Sequence, residues 1–163
     1  MSVAEVRAWL RDTVVGLDLC PFARRPLEAG RVRFSVSTTE GHRGALEDVA
    51  READLLVADP AIDTTLLLIP QAPADFETFV AWTEDAEDLL AEDDLQVVAF
   101  HPAFRFADAD PHDPANGVNR SPVPLWHVLR ADQVEAAVAS HPDIASVPER
   151  NAALLRAQAE ARR

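Results

Sequence analysis

The chain has 163 residues, of which 48% are hydrophobic and 26% charged, so it is long enough for the core of one globular domain. Its net charge of −13 argues against nucleic-acid and membrane partners, because an acidic surface repels phosphate backbones and anionic lipid. The chain contains neither lysine nor tyrosine, which excludes Schiff-base chemistry, a P-loop lysine and a phenolic acid.

Hydrophobic periodicity predicts the elements of the first half of the chain. A capping box of Ser2 and Glu5 begins a helix that we expect to reach Leu19, since Pro21 disfavours helical backbone at the residue before it. Residues 31–37 (RVRFSVS) alternate as a strand does. A second helix is expected over residues 46–57, and residues 64–70 (TTLLLIP) form a strand that is apolar throughout.

The second half of the chain continues the alternation. A third helix is expected from about Asp75, with most of the nine acids of residues 74–94 on its outer face, followed by the strand LQVVAF over residues 95–100. After a long loop, residues 124–130 (PLWHVLR) predict a fourth strand. Capping boxes at residues 132–135 and 146–149 begin a short helix and a C-terminal one.

The order of these elements predicts an α/β fold. Strands that alternate with helices pair in parallel, so the first three strands should form a parallel core and the fourth should join it antiparallel. We expect one mixed, mainly parallel sheet of three to four strands with flanking helices, in a single domain over residues 1–163. The charged N-terminus and the lone cysteine favour a cytoplasmic protein.

The segment from His101 to Pro124 is too long for an ordinary connection. It has five prolines and no helical or strand period, and ordered loops longer than about twelve to fifteen residues are usually functional. Phenylalanine and valine side chains of the segment, together with Trp126 just after it, give it apolar anchors, so we expect it to be ordered. Ligands of open sheets bind outside the carboxyl ends of the strands, where this loop begins.

Polar side chains of the loop are the candidates for holding an anionic small molecule. Arg120 offers a planar fork of donors that matches a carboxylate or phosphate. Asn116 and Asn119 can both donate and accept, and Arg105 and Ser121 complete the candidate set. In the alternative interpretation the asparagines cap turns, Arg120 pairs with a loop aspartate, and the loop only braces the fold.

Three further residues are candidates for catalysis. His101 follows the third strand directly and is either a satisfied core residue or a group for acid–base work. His127 in the fourth strand would lie beside it if the two strands pair, which would favour proton transfer or, with a loop carboxylate, a transition-metal site. Cys20 is the only thiol, and Arg24 and Arg25 would lower its pKa if they face it. The alternative for Cys20 is a small buried hydrophobe.

Four segments of the chain resemble an uncharacterised bacterial family, domain of unknown function 1415. They are LCPFA, FHPAFRFA, DPANGVNRSPVPLWHVLR and VPERN. The resemblance covers nearly the whole chain in the same order and implies a stand-alone, soluble bacterial protein, without a substrate or a mechanism. Val123 stands where the resemblance leads us to expect tyrosine, so a phenol is not needed there.

Two functional hypotheses follow from these residues. The first is a small soluble enzyme that acts on an anionic small molecule, with a histidine moving protons and Cys20 as a candidate nucleophile. The second is a non-catalytic module that binds an anion or a metal. The sequence identifies no cofactor, no metal and no oligomeric state.

Overall fold

The computed structural model describes residues 2–162. The helices in this part of the chain are α1 (Val3–Trp9), α2 (Arg24–Glu28), α3 (Gly41–Ala58), α4 (Phe76–Leu90), α5 (Ala131–Ser140) and α6 (Val147–Ala161). The strands are β1 (Val32–Val36), β2 (Thr64–Leu68), β3 (Leu95–Phe100) and β4 (Leu125–Arg130). The α/β class and all four predicted strands are confirmed.

The first helix is shorter than predicted. Its capping box is present, with the Ser2 N–H donating to Glu5 Oε2 at 2.6 Å. α1 then widens into a π-helical turn over Leu10–Val15, and the chain leaves the helix through Asp18, whose φ of 53° lies in the left-handed region. The helical segment therefore ends before Leu19, because the wider turn redirects the backbone ahead of the proline.

The sheet order corrects the prediction of a mainly parallel sheet. The four strands lie in the order β1-β2-β4-β3, so only β1 and β2 pair in parallel, and β4 pairs antiparallel with both β2 and β3. The burial of the strands explains this order. Leu125, Trp126 and Val128 of β4 are fully buried, as a central strand requires, whereas Gln96 of β3 is exposed, as an edge strand allows.

Each face of the sheet carries its own hydrophobic core. On one face Trp126 and Leu67 pack with Phe79 of α4 and Leu56 of α3; we call this the α3–α4 face. On the opposite face, the α1 face, Leu66, Leu68 and Leu125 pack against Val6 and Leu10. Neighbouring residues of one strand therefore enter different cores.

Three local features differ from the sequence prediction or add to it. The stretch between the first helix and β1, expected to be turn-like, contains the short helix α2. α5 begins at Ala131, directly after β4, so the predicted capping residue Asp132 lies in its first turn. The long loop contains a 3-10 helix over Pro114–Asn119.

Among residues 2–162, no helix has both the length and the apolarity that crossing a bilayer requires.

Candidate functional site

The predicted binding loop is ordered by its own polar side chains. Arg120 donates from Nε to Phe104 O at 3.0 Å and from Nη2 to Pro111 O at 2.8 Å. The guanidinium therefore ties together two points of the loop that lie seven residues apart. No ion pair joins Arg120 to an aspartate within the described part of the chain. The predicted alternative, a surface ion pair, is wrong, but the bracing role that went with it fits the geometry.

The two loop asparagines also bind backbone. Asn116 is fully buried, where its Oδ1 accepts from Phe106 N–H at 3.0 Å and its Nδ2 donates to Asp110 O at 2.9 Å. Asn119 donates from Nδ2 to Ala99 O at 3.3 Å, and its own carbonyl accepts from the His101 N–H at 3.1 Å. These bonds fasten the loop to the end of β3 and hold its turns.

Two further members of the predicted set make separate local contacts. Ser121 is buried and its hydroxyl donates to Val123 O at 2.6 Å. Arg105 pairs with Glu77 near the start of α4, on the outer surface. In the described part of the chain, neither side chain forms a hydrogen bond with Asn116 or Asn119. The residues of the predicted substrate-binding set therefore make separate contacts and do not form one site.

His101 lies in the core of the α3–α4 face. Its ring centroid is 5.2 Å from that of Phe79 and 5.5 Å from that of Phe76, and its residue surface is 1% exposed. Nδ1 accepts from Ala103 N–H at 3.0 Å, so Nε2 carries the hydrogen and donates to Pro73 O at 2.9 Å. Both ring nitrogens are thus engaged by backbone.

His127 lies on the other side of the sheet. Its ring approaches Phe100 on the α1 face, with 6.2 Å between the ring centroids, and Nε2 lies 2.7 Å from Thr64 Oγ1. Burial lowers the pKa of His127 to about 4, so the ring is neutral at pH 7. The expectation that His101 and His127 lie side by side is therefore wrong, because the two rings lie on opposite faces of the sheet.

Cys20 packs among apolar side chains of the α1 face. Burial raises the pKa of its thiol, and hydrogen bonds from the backbone of Phe22 and Ala23 do not offset this. Arg24, expected to lower that pKa, instead binds Val15 O and Glu28. The thiol environment therefore matches the alternative interpretation of a small buried hydrophobe.

The predicted residues thus form no single cluster. In the described residues, no three side chains of histidine, cysteine, aspartate or glutamate come close enough together to hold a metal ion. His101, His127 and a loop carboxylate, the predicted metal combination, are not gathered at one place.

An open groove lies between the loop and α6. It has a volume of about 480 Å³, which is in the range of small-molecule pockets. Apolar side chains form most of its wall, among them Phe106, Ala109, Val118, Val147, Pro148 and Ala152. Phe106 is 44% exposed, which is unusual for a phenylalanine and leaves its ring available to a ligand.

Asp113 and Arg156 form an ion pair across the groove. Arg156 donates from Nε to Asp113 Oδ1 at 3.0 Å and from Nη2 to Asp113 Oδ2 at 2.7 Å. Hydrogen bonds from Arg156 and, to a lesser extent, from the Ala115 N–H lower the pKa of Asp113 to about 2. The pair joins the start of the 3-10 helix to α6.

α6 is held against the rest of the molecule by a buried amide. Asn151 is 3% exposed, and its Nδ2 donates to Leu19 O at 2.7 Å. A Cβ added at Gly117 would lie 3.5 Å from Leu155 Cδ1, so the 3-10 helix and α6 approach closely there. The 3-10 helix and α6, packed against each other, therefore form the floor of the groove.

A family model described as "Protein of unknown function (DUF1415)" matches residues 1–163, the whole chain. The chain belongs to the DUF1415 family. Neither the curated proteins nor the solved structures gave a match to it.

In this DUF1415 protein, sequence reasoning missed two residues of the groove. Asn151 lies within the VPERN segment, so the resemblance already pointed to its neighbourhood, but not to its contact with Leu19. Arg156 carries no local signal, because its position beside Asp113 depends on where α6 docks. Asn116, Asn119 and Asp113 line the groove together with these two residues.

Proposed function

We propose that the protein binds a small molecule with a carboxylate and an apolar body in the groove between the loop and α6, without covalent chemistry. One observation carries the proposal. Asp113 occupies only the Nε–Nη2 edge of the Arg156 guanidinium. Within residues 2–162, Arg156 has no further hydrogen-bond acceptor, so the Nη1–Nη2 edge is open at the rim of an apolar groove.

The chemistry of arginine explains why this edge suits a carboxylate. A guanidinium has five N–H donors in a planar fork, and each of its two accessible edges matches the two oxygens of a carboxylate. Asp113 holds the plane of Arg156 in place through two bonds, so a ligand would not bear the entropy cost of ordering the side chain. Asp113 therefore positions the cation as well as neutralising it.

The groove walls favour an apolar ligand body. Phe106 offers an exposed aromatic ring, and Val118 and Pro148 offer aliphatic surface. The Oδ1 of Asn119 has no hydrogen-bond partner in the described part of the chain and is available to a ligand hydroxyl or amine. A ring or short alkyl chain in the groove with its carboxylate at Arg156 would meet both kinds of group.

Binding, and not catalysis, is the role that these contacts support. A general acid or base must reach the proton that it moves, and both ring nitrogens of His101 already bind backbone atoms. His127 faces the opposite core, and the raised pKa of Cys20 disfavours its thiolate. The anion-binding part of our sequence hypothesis therefore has support in the groove, at Arg156 and not at Arg120.

The proposal is tested with 3-phenylpropionate, an aromatic carboxylate small enough for the groove. Two-dimensional amide NMR of the full chain is followed while this compound is added. We expect the largest shift changes at residues of the 3-10 helix and the first half of α6, and weaker binding by about tenfold or more in Arg156→Gln, since a charged hydrogen-bonded pair contributes roughly 1.5–3 kcal/mol.

Arg43→Gln is the matched control. Arg43 also pairs with a carboxylate on a helix, but it is 93% exposed and lies on α3, away from the groove. We expect this variant to bind the compound as the wild type does. Shift changes that scatter over the surface, or equal losses in both variants, would overturn the proposed function.

A further inference from the structure

Within residues 2–162, the outer edge of β1 has no partner strand. β1 is the first strand in the order β1-β2-β4-β3, and its partner in this part of the chain is β2. An edge of this kind presents backbone donors and acceptors that another extended chain can use. Val36 at the end of β1 is 41% exposed, so part of this edge is in contact with solvent.

The alternation of the strand identifies the backbone groups on the open side. Arg31 O accepts from Asp63 N–H at 2.8 Å, and Ser37 N–H donates to Leu68 O at 2.7 Å, so the odd-numbered residues of this segment face β2. Backbone groups of successive strand residues point to opposite sides. The N–H and C=O groups of Val32, Phe34 and Val36 therefore face outward, and within residues 2–162 no other segment binds them.

A groove with three arginines in its wall lies at the start of β1. It has a volume of about 310 Å³, and its lining includes Arg7, Arg31, Arg33, Phe34 and Ile62. The Arg7 guanidinium carbon lies 4.0 Å above the Phe34 ring centroid, and no carboxylate within the described residues forms an ion pair with it. In a chain with a net charge of −13, Arg7 thus provides a cation beside this strand.

Two of these arginines already have an acidic partner but keep free donors. Arg31 binds Asp63 Oδ1 and Pro60 O through Nη2, which leaves its other nitrogens without a partner in residues 2–162. Arg33 binds Glu52 through Nε and Nη2, and its Nη1 has no hydrogen-bond partner in residues 2–162. Asp63 and Asp59 act on Arg31 and Glu52 acts on Arg33, so Arg7 is the arginine of this groove whose charge no carboxylate within residues 2–162 pairs with.

We propose that the outer edge of β1 docks an extended acidic segment of a partner protein, which adds to the sheet as a fifth strand. The backbone of the segment would pair with Val32, Phe34 and Val36, and its alternate acidic side chains, which share one face of the added strand, would meet Arg7 on the α1 face. Charge decides between occupants: a second copy of this chain, paired through β1, would bring arginine against arginine.

The test uses a blocked hexapeptide of sequence EVETEV, with KVKTKV as the charge-reversed control. Amide hydrogen exchange of the full chain is measured by NMR with and without peptide. We expect EVETEV to slow exchange at Val32, Phe34 and Val36 by about tenfold or more, because a new ladder protects these amides. Arg33 and Ser35, whose amides already face β2, serve as internal references.

Two N-methylated forms of EVETEV make the test specific for strand addition. One is methylated at the odd amides and the other at the even amides, and only one set can face β1. We expect one form to lose binding and the other to keep it, and Arg7→Gln to weaken binding by about fivefold or more.

Five results would overturn the proposal. Four are no binding of EVETEV, binding without protection of the three outward amides, equal affinity for both methylated forms, and equal affinity for KVKTKV. The fifth is protection that depends on protein concentration in the absence of peptide, which would indicate self-pairing of β1.

Discussion

Thr64 and His127 share a hydrogen bond, and the Val128 carbonyl determines which of the two is the donor. Thr64 Oγ1 donates its hydrogen to Val128 O at 2.7 Å, so towards His127 the hydroxyl can only accept. His127 Nε2, at 2.7 Å, therefore carries the hydrogen and donates it to Thr64. A neutral imidazole thus links β4 to β2 in the middle of the sheet.

This relationship predicts how stability depends on pH. His127 has a folded-state pKa of about 4, below its ordinary value of 6.5, so between these values the unfolded chain binds more protons. The contribution of the neutral ring to stability is complete above pH 6.5 and is lost as the pH falls towards 4. The loss approaches about 3 kcal/mol.

The measurement is urea unfolding at several pH values from 7 to 4 in the wild type and in His127→Gln, which keeps a donor but does not titrate. We expect the free energy of unfolding to fall more steeply in the wild type. Asp113 does not interfere with the comparison, because both proteins contain it and its lowered pKa of about 2 changes their stability equally. Parallel curves for the two proteins would contradict the prediction.

Arg120 braces the loop through Phe104 O and Pro111 O. Replacing it with alanine leaves two carbonyls without their charged donor, and we expect a loss of about 1–3 kcal/mol in the free energy of unfolding. Arg43→Ala, at a 93% exposed arginine, should change it by less than about 0.5 kcal/mol. Urea unfolding compares the two, and equal losses would show that Arg120 does not hold the loop.

A single hydrogen bond, to the hydroxyl of Thr83, joins the Trp126 indole to α4. Trp126 Nε1 donates to Thr83 Oγ1 at 2.9 Å, and both residues are buried. We expect Thr83→Val to cost about 1–3 kcal/mol in the free energy of unfolding, since the indole N–H loses its acceptor. Thr83→Ser keeps the hydroxyl and should cost clearly less in the same thermal or urea unfolding experiment. The opposite order would contradict this role.

Cys20 should react slowly in the folded protein. Burial raises the pKa of its thiol, so both the thiolate fraction and access are reduced. We expect iodoacetamide to modify the folded protein at pH 8 about a hundredfold or more slower than the protein in urea. A fast reaction with a rate that levels off below pH 8 would restore Cys20 as a candidate nucleophile.

The sequence predicts local structure well because periodicity and capping are local signals. The alternation of RVRFSVS and the fully apolar TTLLLIP both become strands, and Asp75 caps α4 by accepting from Thr78 N–H at 2.9 Å. The sheet order escapes prediction because it depends on where the long loop returns β4. The insertion of β4 between β2 and β3 follows from burial on both of its faces, which only the packed molecule determines.

At the candidate site, too, the sequence predicts the local order but not the tertiary contacts. The sequence predicts that the loop is ordered, and its prolines and apolar residues agree with that. It cannot show that Asn116 and Arg120 bind backbone carbonyls, because a donor side chain looks the same whether its acceptor is a ligand or the main chain. Asp113 and Arg156 are 43 residues apart in the chain, and their pairing depends on the docking of α6.

The proposed groove site is tested most directly by comparing 3-phenylpropionate with 3-phenylpropanamide, which differ only in the group expected at Arg156. Isothermal titration measures Kd of both compounds for the wild type and for Arg156→Gln. We predict that the wild type prefers the carboxylate by about tenfold or more and that the variant binds both compounds with similar Kd. The same preference in both proteins, or none in the wild type, would contradict the account.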